Sequence, residues 1–203
     1  MVSRNLVWSG LLSLVVLVFG TAAQAQKALH NDEVSIGGFY QLTSDASGNG
    51  ITDTASKSLG GEASFRHSYH WWMGYDAAYD YARFTEYYTG QIFGYQHNMH
   101  AFSGSYYVHG PVRVLGIQPF AVGGISAVVF SPTLNGGQNV SWQARPGANF
   151  GAGINYALLS SHIGLRLQYR GLYYKAPDFG LSKLTTNAWR LTSAPMAGFY
   201  IEF

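Results

Sequence analysis

Apolar and polar residues alternate with a period of two along most of the chain after residue 31, and this pattern constrains the fold more than any other feature. In the segment 58–69, for example, Leu59 and Phe65 share one face while Glu62 and Arg66 share the other. Such alternation is typical of a β-strand whose two faces meet different environments. The sequence therefore predicts an all-β protein.

Eight strands of this kind are predicted, joined by connections that alternate between long and short. We place the strands at 32–43, 58–69, 73–82, 99–108, 118–130, 148–158, 163–170 and in a last segment ending at residue 203. The long connections are 44–57, 85–98, 131–146 and 175–189, and the short turns lie near 70–71, 109–111 and 160–161. Short periplasmic turns and longer outer loops are typical of bacterial outer-membrane barrels. An even strand number puts both termini on the periplasmic side.

The composition indicates that much of the surface does not face water. Only 11% of the residues are charged and 16% are aromatic, whereas a soluble domain carries about 25% charged residues. Beyond the N-terminal segment, no apolar run approaches the roughly 18 residues that a transmembrane helix needs. A closed barrel pairs every backbone polar group without a helix, so we expect an eight-stranded antiparallel up-and-down transmembrane β-barrel.

Residues 1–25 have the pattern of a cleavable export signal. Arg4 supplies a positive start, residues 11–19 form a short apolar core, and Ala23-Gln24-Ala25 is a small-x-small cleavage pattern. A retained N-terminal anchor is the alternative, but the apolar core is short for a membrane span. We therefore expect cleavage near Ala25, one domain over 26–203, and an outer-membrane location.

Charge placement predicts that the polar face points into the barrel. A turn near residue 71 puts Arg66 opposite Asp76, and it also puts Glu62 opposite Asp80, a like-charge pair that needs a basic neighbour. Facing lipid would cost a basic residue at mid-strand about 2 to 4 kcal/mol. The alternative is a soluble barrel, which would have its apolar face inside. The predicted polar network of the lumen consists of Glu62, Arg66, Asp76, Asp80, Arg166, Arg170 and Glu202.

Three segments resemble the OmpA/OmpX-type outer-membrane β-barrel domain. They are 150–156 (FGAGINY), 165–170 (LRLQYR) and the C-terminal 198–203 (GFYIEF). The resemblance implies that Phe199, Ile201 and Phe203 form the signature by which the barrel-assembly machinery recognises its clients. It covers the barrel alone, with no peptidoglycan-binding domain, so a role in tethering the cell wall is not implied.

The residues give little support for catalysis or for a metal site. A deacylase-like arrangement needs Ser and His two residues apart near the outer rim, but the pairs Ser68/His70 and Ser160/His162 fall at predicted periplasmic turns. His97 and His100 would point to opposite faces of a strand. We therefore expect no enzyme activity, no cofactor and no metal. The net charge of +2 also disfavours a nucleic-acid partner.

The remaining functions are structural or depend on the outer loops. An eight-stranded barrel is about filled by its own side chains, which disfavours an open pore. We expect a monomer in contact with outer-membrane lipid and lipopolysaccharide, with a structural role or with recognition through the outer loops that carry Tyr87, Tyr88, Trp142 and Trp189. A lipid A-modifying enzyme and a narrow small-solute channel are the alternatives.

Overall fold

The computed structural model describes residues 32–110, 115–160 and 162–203. The predicted export signal of residues 1–25 lies outside the described residues. Within the described ranges, no helix is long and apolar enough to cross a membrane. The helical element found there is a single 3-10 turn, Ser182–Leu184.

The described residues form ten β-strands, of which eight are long. The long strands are β1 (Asp32–Thr43), β4 (Ser58–His70), β5 (Met73–Tyr88), β6 (Tyr95–His109), β7 (Ile117–Pro132), β8 (Gln143–Ser160), β9 (Ile163–Lys175) and β10 (Trp189–Glu202). The two short strands are β2 (Ala46–Gly48) and β3 (Ile51–Ala55).

Each long strand pairs antiparallel with its neighbours in the chain, and β1 pairs with β10 to close the barrel. Val34 lies opposite Ile201, and the backbones of Asp32 and Phe203 exchange two hydrogen bonds of 3.2 and 2.9 Å. Closure leaves none of these eight strands with an unpaired edge. The predicted eight-stranded up-and-down barrel is confirmed.

The first long connection contains a hairpin that the strand pattern did not predict. Asn49 and Gly50 join β2 to β3 with positive φ angles of 53° and 75°. Two successive positive φ values are typical of a type I′ turn, whose twist matches that of the two flanking strands. Asn-Gly is the preferred sequence for this turn. Because β3 also pairs with the end of β5, placing Asp53 opposite Tyr88, the hairpin extends the barrel wall.

Two of the predicted long connections are much shorter than expected. Strand β5 continues to Tyr88 and β6 begins at Tyr95, so the predicted loop 85–98 reduces to residues 89–94. The predicted loop 131–146 likewise reduces to 133–142. The outward face of β5 becomes polar from Arg83 onward, although its inward face keeps Phe84 and Tyr88 buried. Because the outward face there is no longer apolar, the sequence of this part of β5 lacks the alternation of a strand and was predicted to be a loop.

The barrel wall has its polar face inside and its apolar face outside, as in a transmembrane barrel. Side chains such as Arg166 inside are fully buried, whereas Ile36 and Ile125 outside are 69% and 75% exposed. The outward apolar set includes Ile36, Tyr40, Leu59, Tyr75, Phe102, Tyr106, Ile117, Phe150, Leu165, Leu167, Phe199 and Ile201. We call this set the lipid-facing band. A soluble barrel would place such residues inside, so the transmembrane prediction is confirmed.

The two ends of the barrel differ in packing. We call the end with the β2–β3 hairpin and the long connections the loop end, and the other the turn end. Inside the loop end lies a buried apolar cluster. Its larger members are Phe39, Phe84, Tyr88, Tyr95, Met99, Phe130, Leu172, Tyr174, Phe179, Leu184 and Met196. The polar network occupies the lumen on the turn side of this cluster.

Candidate functional site: a filled lumen and the loop end

Nearest the turn end, the lumen is organised around Arg166 on β9. Its guanidinium pairs with Glu33 on β1, donates from Nε to Asn155 Oδ1 at 2.9 Å, and donates from Nη1 to Ser35 Oγ at 2.8 Å. The ring of Tyr200 lies 5.5 Å from the guanidinium carbon. Period-two alternation points all four partners inward from three strands. This layer therefore ties strands on different sides of the lumen together.

The middle layer joins Arg66 and Arg170 through a shared carboxylate. Arg66 Nε donates to Asp76 Oδ2 at 2.7 Å, and Arg170 Nη2 donates to Asp76 Oδ1 at 3.0 Å. The predicted register is confirmed, because Arg66 lies opposite Asp76 across β4 and β5. Arg66 also lies 3.7 Å from Glu33 and 4.1 Å above the Phe120 ring. It thereby links this layer to the one around Arg166.

Glu62 and Asp80 are also directly opposite each other, as the sequence register predicts. The basic neighbour that this like-charge pair needs is Arg170. Its Nε lies 3.3 Å from Glu62 Oε2 and its Nη1 lies 4.0 Å from Asp80 Oδ2. A single buried guanidinium thus offsets the repulsion between two buried carboxylates.

A third ionic cluster lies near the loop end, where the sequence analysis had predicted none. Arg190 on β10 donates to Asp53 Oδ2 at 2.7 Å and forms a bidentate pair with Glu86. His97 Nε2 lies 3.8 Å from Glu86. These side chains are all fully buried. The cluster joins the β2–β3 hairpin to strands β5, β6 and β10.

The connection 176–188 closes over the loop end. Phe179 and Leu184 insert into the buried apolar cluster, with the Phe179 ring 5.3 Å from the His97 ring. Tyr88 is buried there too, and its hydroxyl donates to the Pro177 carbonyl at 2.8 Å. Tyr88 was predicted to lie in an outer loop, and that prediction is wrong, because Tyr88 is the last residue of β5 and its side chain points into the barrel.

Polar contacts fix the same connection at its base. Asp178 pairs with Arg145 at 3.0 Å, and Gln143 donates to Asp178 Oδ1 at 2.6 Å. The Gln143 side-chain oxygen in turn accepts from the backbone N–H groups of Asp178 and Phe179. These bonds hold 176–188 against the start of β8.

Apolar side chains project from the other connections at the loop end. Ile92 is 91% exposed and Leu134 is 97% exposed, and Phe93 and Trp142 are largely exposed as well. A cleft of about 380 Å³ lies among the three connections, with Ile92, Phe93 and Lys183 in its walls. Of the other residues predicted to lie in the outer loops, Tyr87 is exposed. Trp189 lies on the outer wall, stacked on Tyr173 at 5.2 Å.

The structure places the predicted site residues in two groups. Five of them contact one another in the lumen, namely Glu62, Arg66, Asp76, Asp80 and Arg170. Arg166 is joined to Arg66 through Glu33. Glu202 is half-buried at the turn end, opposite Glu33. Phe199, Ile201 and Phe203 all project from the outer wall at that end. Sequence reasoning missed Glu33, Asp53, Glu86 and Arg190. The sequence did hold a signal for two of them. Glu86 is an even number of residues from Asp76 on β5, and Arg190 is an even number from Tyr200 on β10, so both point inward.

The histidine and serine pairs lie where the sequence analysis put them. Ser68 hydrogen-bonds the Tyr107 hydroxyl inside the barrel at the turn end, and His162 lies in the turn before β9. His97 points inward and His100 lies on the outer wall, with its Nδ1 2.8 Å from the Tyr79 hydroxyl. In the described part of the chain, no three His, Cys, Asp or Glu side chains are arranged to hold a metal ion.

Comparison with solved structures identifies the class of protein to which this fold belongs. The structure of Neisserial surface protein A superposes with a TM-score of 0.58 at 17% identity, over 85% of this chain and 97% of that one. Ail, the attachment invasion locus protein of Yersinia pestis, solved with the heparin analogue sucrose octasulfate, superposes with a TM-score of 0.51 at 12% identity, over 85% and 99% of the two chains.

These likenesses show the fold: this chain has the architecture of the small outer-membrane β-barrels. The predicted resemblance to OmpA/OmpX-type barrels is thus confirmed at the level of fold. No protein-family model matches the chain, and no curated protein matches it.

Proposed function

We propose that this protein is a monomeric outer-membrane barrel with a sealed lumen, which acts in surface recognition through its loop end. The loop end would face the medium, and the exposed C-terminal side chains Phe199, Ile201 and Phe203 would serve the assembly machinery. The proposal assigns no catalytic step and no cofactor to the chain.

The filled lumen is the observation that carries this proposal. Arg166 and Arg190 are 0% and 1% exposed, and Phe130, Tyr174 and Leu184 are also inaccessible to water. A water-filled path would leave the residues along it exposed. Along the barrel axis, the lumen is filled by ion pairs, then by the packed apolar cluster, and then by the connection 176–188. This filling favours a sealed barrel and disfavours a small-solute channel.

The character of the loop end supports recognition. Exposed apolar side chains such as Ile92, Phe93, Leu134 and Trp142 are costly in water, and apolar surface patches mark interaction sites. Aromatic residues dominate many binding interfaces. Because the loop end is braced by Asp178, Arg145 and Gln143, these side chains project from an ordered base, which reduces the entropic cost of binding.

The positions of the serines and histidines favour this proposal over a lipid A-modifying enzyme. Such an enzyme needs its nucleophile and base on the outer wall near the loop end. His100 lies there, but its ring nitrogen contacts the Tyr79 hydroxyl rather than a serine. A purified barrel should therefore leave labelled lipid A unchanged.

Adhesion of whole cells tests the recognition role. Cells displaying the wild-type protein should be retained on a polystyrene surface under flow, and a variant carrying Ile92→Ser, Phe93→Ser and Trp142→Ser should be retained several-fold less. The matched control is Leu115→Ser, an 89% exposed apolar residue at the turn end. Equal retention of the triple variant and the wild type, at equal surface amounts, would contradict recognition by these loops.

A further inference from the structure

The outer wall of β4, β5 and β6 carries a polar patch immediately beyond the lipid-facing band. On β5 the outward residues Tyr75, Ala77, Tyr79 and Tyr81 are followed by Arg83, and on β6 Tyr106, Gly104 and Phe102 are followed by His100 and Asn98. Lys57 is exposed in the connection, one residue before β4 begins. We call the four residues Lys57, Arg83, Asn98 and His100 the wall patch.

Hydrogen bonds hold three side chains of the wall patch in place, those of Arg83, Asn98 and His100. Arg83 Nε donates to Asn98 Oδ1 at 2.7 Å, and the Tyr81 hydroxyl donates to the same oxygen at 3.0 Å. His100 is held by Tyr79 and lies 5.3 Å from the Tyr81 ring. The Nη groups of Arg83 have no acceptor among the described residues. The Nε–H is therefore occupied, and both Nη nitrogens are available to donate to a ligand.

On these three strands the acidic side chains are confined to the lumen, where Arg66 of β4 and Arg170 of β9 pair with them. The acidic residues of β4 and β5, which are Glu62, Asp76, Asp80 and Glu86, all point into the lumen, and β6 has none. Lys57 and Arg83 are the basic residues on the outside of this wall, and neither pairs with an acidic residue in the described part of the chain. The outer surface here is consequently positive.

The position of the wall patch along the barrel axis indicates which part of the bilayer it contacts. Arg83 lies opposite Asn98 and Tyr81 lies opposite His100, so the patch begins one outward position beyond an aromatic pair, Tyr79 and Phe102. An arginine facing hydrocarbon at the bilayer centre costs about 2 to 4 kcal/mol, and the cost falls to about 0 to 1 kcal/mol at the interface. Aromatic rings prefer the same interface. The patch thus lies at the level of lipid headgroups.

We propose that the wall patch binds a phosphate group of a phosphorylated glycolipid in the outer leaflet, of the lipid A type. This proposal rests on the proposed outer-membrane location, with the loop end outward. The guanidinium of Arg83 presents parallel donors that match phosphate geometry, and Lys57 adds a second positive charge. Asn98 and His100 complete the polar surface, and the aromatic band below accommodates the acyl chains.

Lipid binding to the folded full-length mature barrel tests this proposal. The protein in dodecyl maltoside is titrated with bisphosphorylated lipid A, with dephosphorylated lipid A and with phosphatidylglycerol, and bound lipid is counted by native mass spectrometry. Wild-type protein should prefer bisphosphorylated lipid A, and Arg83→Gln with Lys57→Gln should weaken that binding by about tenfold, as the loss of charge-assisted hydrogen bonds predicts. Asn98→Asp keeps the side-chain shape, neutralises Arg83 and should weaken binding similarly.

The control is Lys183→Gln, which removes an exposed positive charge from the loop cleft and should leave lipid binding unchanged. Equal binding of dephosphorylated lipid A, equal binding of phosphatidylglycerol, or no effect of the patch variants would each overturn the proposal. Resistance of the unboiled protein to SDS verifies that each variant is folded. If the barrel is folded and sealed but does not bind lipid A, the wall patch is not a lipid A site, and the proposed function is unaffected.

Discussion

Arg170 and Glu62 meet across the lumen, with Arg170 Nε 3.3 Å from Glu62 Oε2. Their strands, β9 and β4, are separated in the wall by β10 and β1, so no backbone ladder joins them. The same guanidinium lies 3.0 Å from Asp76 and 4.0 Å from Asp80. One side chain therefore compensates three buried carboxylates and braces opposite sides of the barrel.

Replacing Arg170 should destabilise the barrel strongly. Arg170→Met leaves Glu62 and Asp80 buried without their cation, and breaking a buried ion pair in this way costs about 3 to 5 kcal/mol. The measurement is urea unfolding in lipid vesicles, followed by the change in electrophoretic migration. Lys175→Met, which removes a basic residue at the end of the same strand, should change stability by no more than about 0.5 kcal/mol. A loss below about 1 kcal/mol for Arg170→Met would show that the network does not brace the lumen.

The two carboxyl groups that contact Arg190 should respond differently to neutralisation. Burial and the nearby Glu86 carboxylate raise the pKa of Asp53, on the β2–β3 hairpin beyond the lipid-facing band, to about 10. We therefore expect Asp53, rather than Glu86, to be the carboxyl that holds a proton. Asp53→Asn, which also has an uncharged side chain, should then cost less than about 1 kcal/mol. Glu86→Gln removes the charge that balances Arg190 and should cost about 3 kcal/mol or more. Equal losses for the two variants in the same unfolding experiment would contradict this assignment.

The connection 176–188 should loosen in acid because of Asp178. Partial burial raises the pKa of Asp178, but hydrogen bonds from Gln143 and the Gly180 N–H, together with Arg145, outweigh it and hold the pKa below its ordinary value of 3.8. A carboxyl with a lowered pKa stabilises the folded loop above its unfolded pKa, and this contribution is lost as the pH falls through the folded pKa. The loop should keep this stabilisation from neutral pH down to about pH 4 and lose it progressively below that, as the pH falls from the ordinary pKa towards the lower pKa of the folded state.

Hydrogen exchange of the Phe179 and Gly180 amides, corrected for the intrinsic effect of pH, measures this opening. Asp178→Asn should exchange faster than the wild type at pH 7 and show little further change in acid. A wild-type loop whose protection is unchanged at pH 3 would rule out Asp178 as the group that holds it closed.

The fold was predictable because lipid on one side and a charged lumen on the other impose strict alternation. The register of Arg66 with Asp76 followed from one turn position alone. The loop-end cluster escaped prediction for a physical reason. Beyond the lipid-facing band the outward residues, such as Arg83, no longer need to be apolar, so the alternation that identifies a strand disappears while its pairing continues.

The β2–β3 hairpin and the Arg190 cluster illustrate two further limits. The Asn49-Gly50 pair was a recognisable hairpin signal, but pairing of β3 with the end of β5 is a tertiary contact that local sequence does not specify. Arg190 and Glu86 are 104 residues apart in the chain. Their contact depends on closure of the barrel. From the sequence alone, one could have predicted only that both side chains point inward.

Conductance of the wild-type protein in planar bilayers shows whether the transmembrane barrel is sealed. The protein is first shown to be inserted and folded, because a folded barrel migrates differently before and after boiling in SDS. We expect the membrane to show no conductance after insertion, because buried ion pairs and the apolar cluster fill the lumen. A reproducible, steady ohmic conductance from folded wild-type protein would contradict it and would favour the small-solute channel.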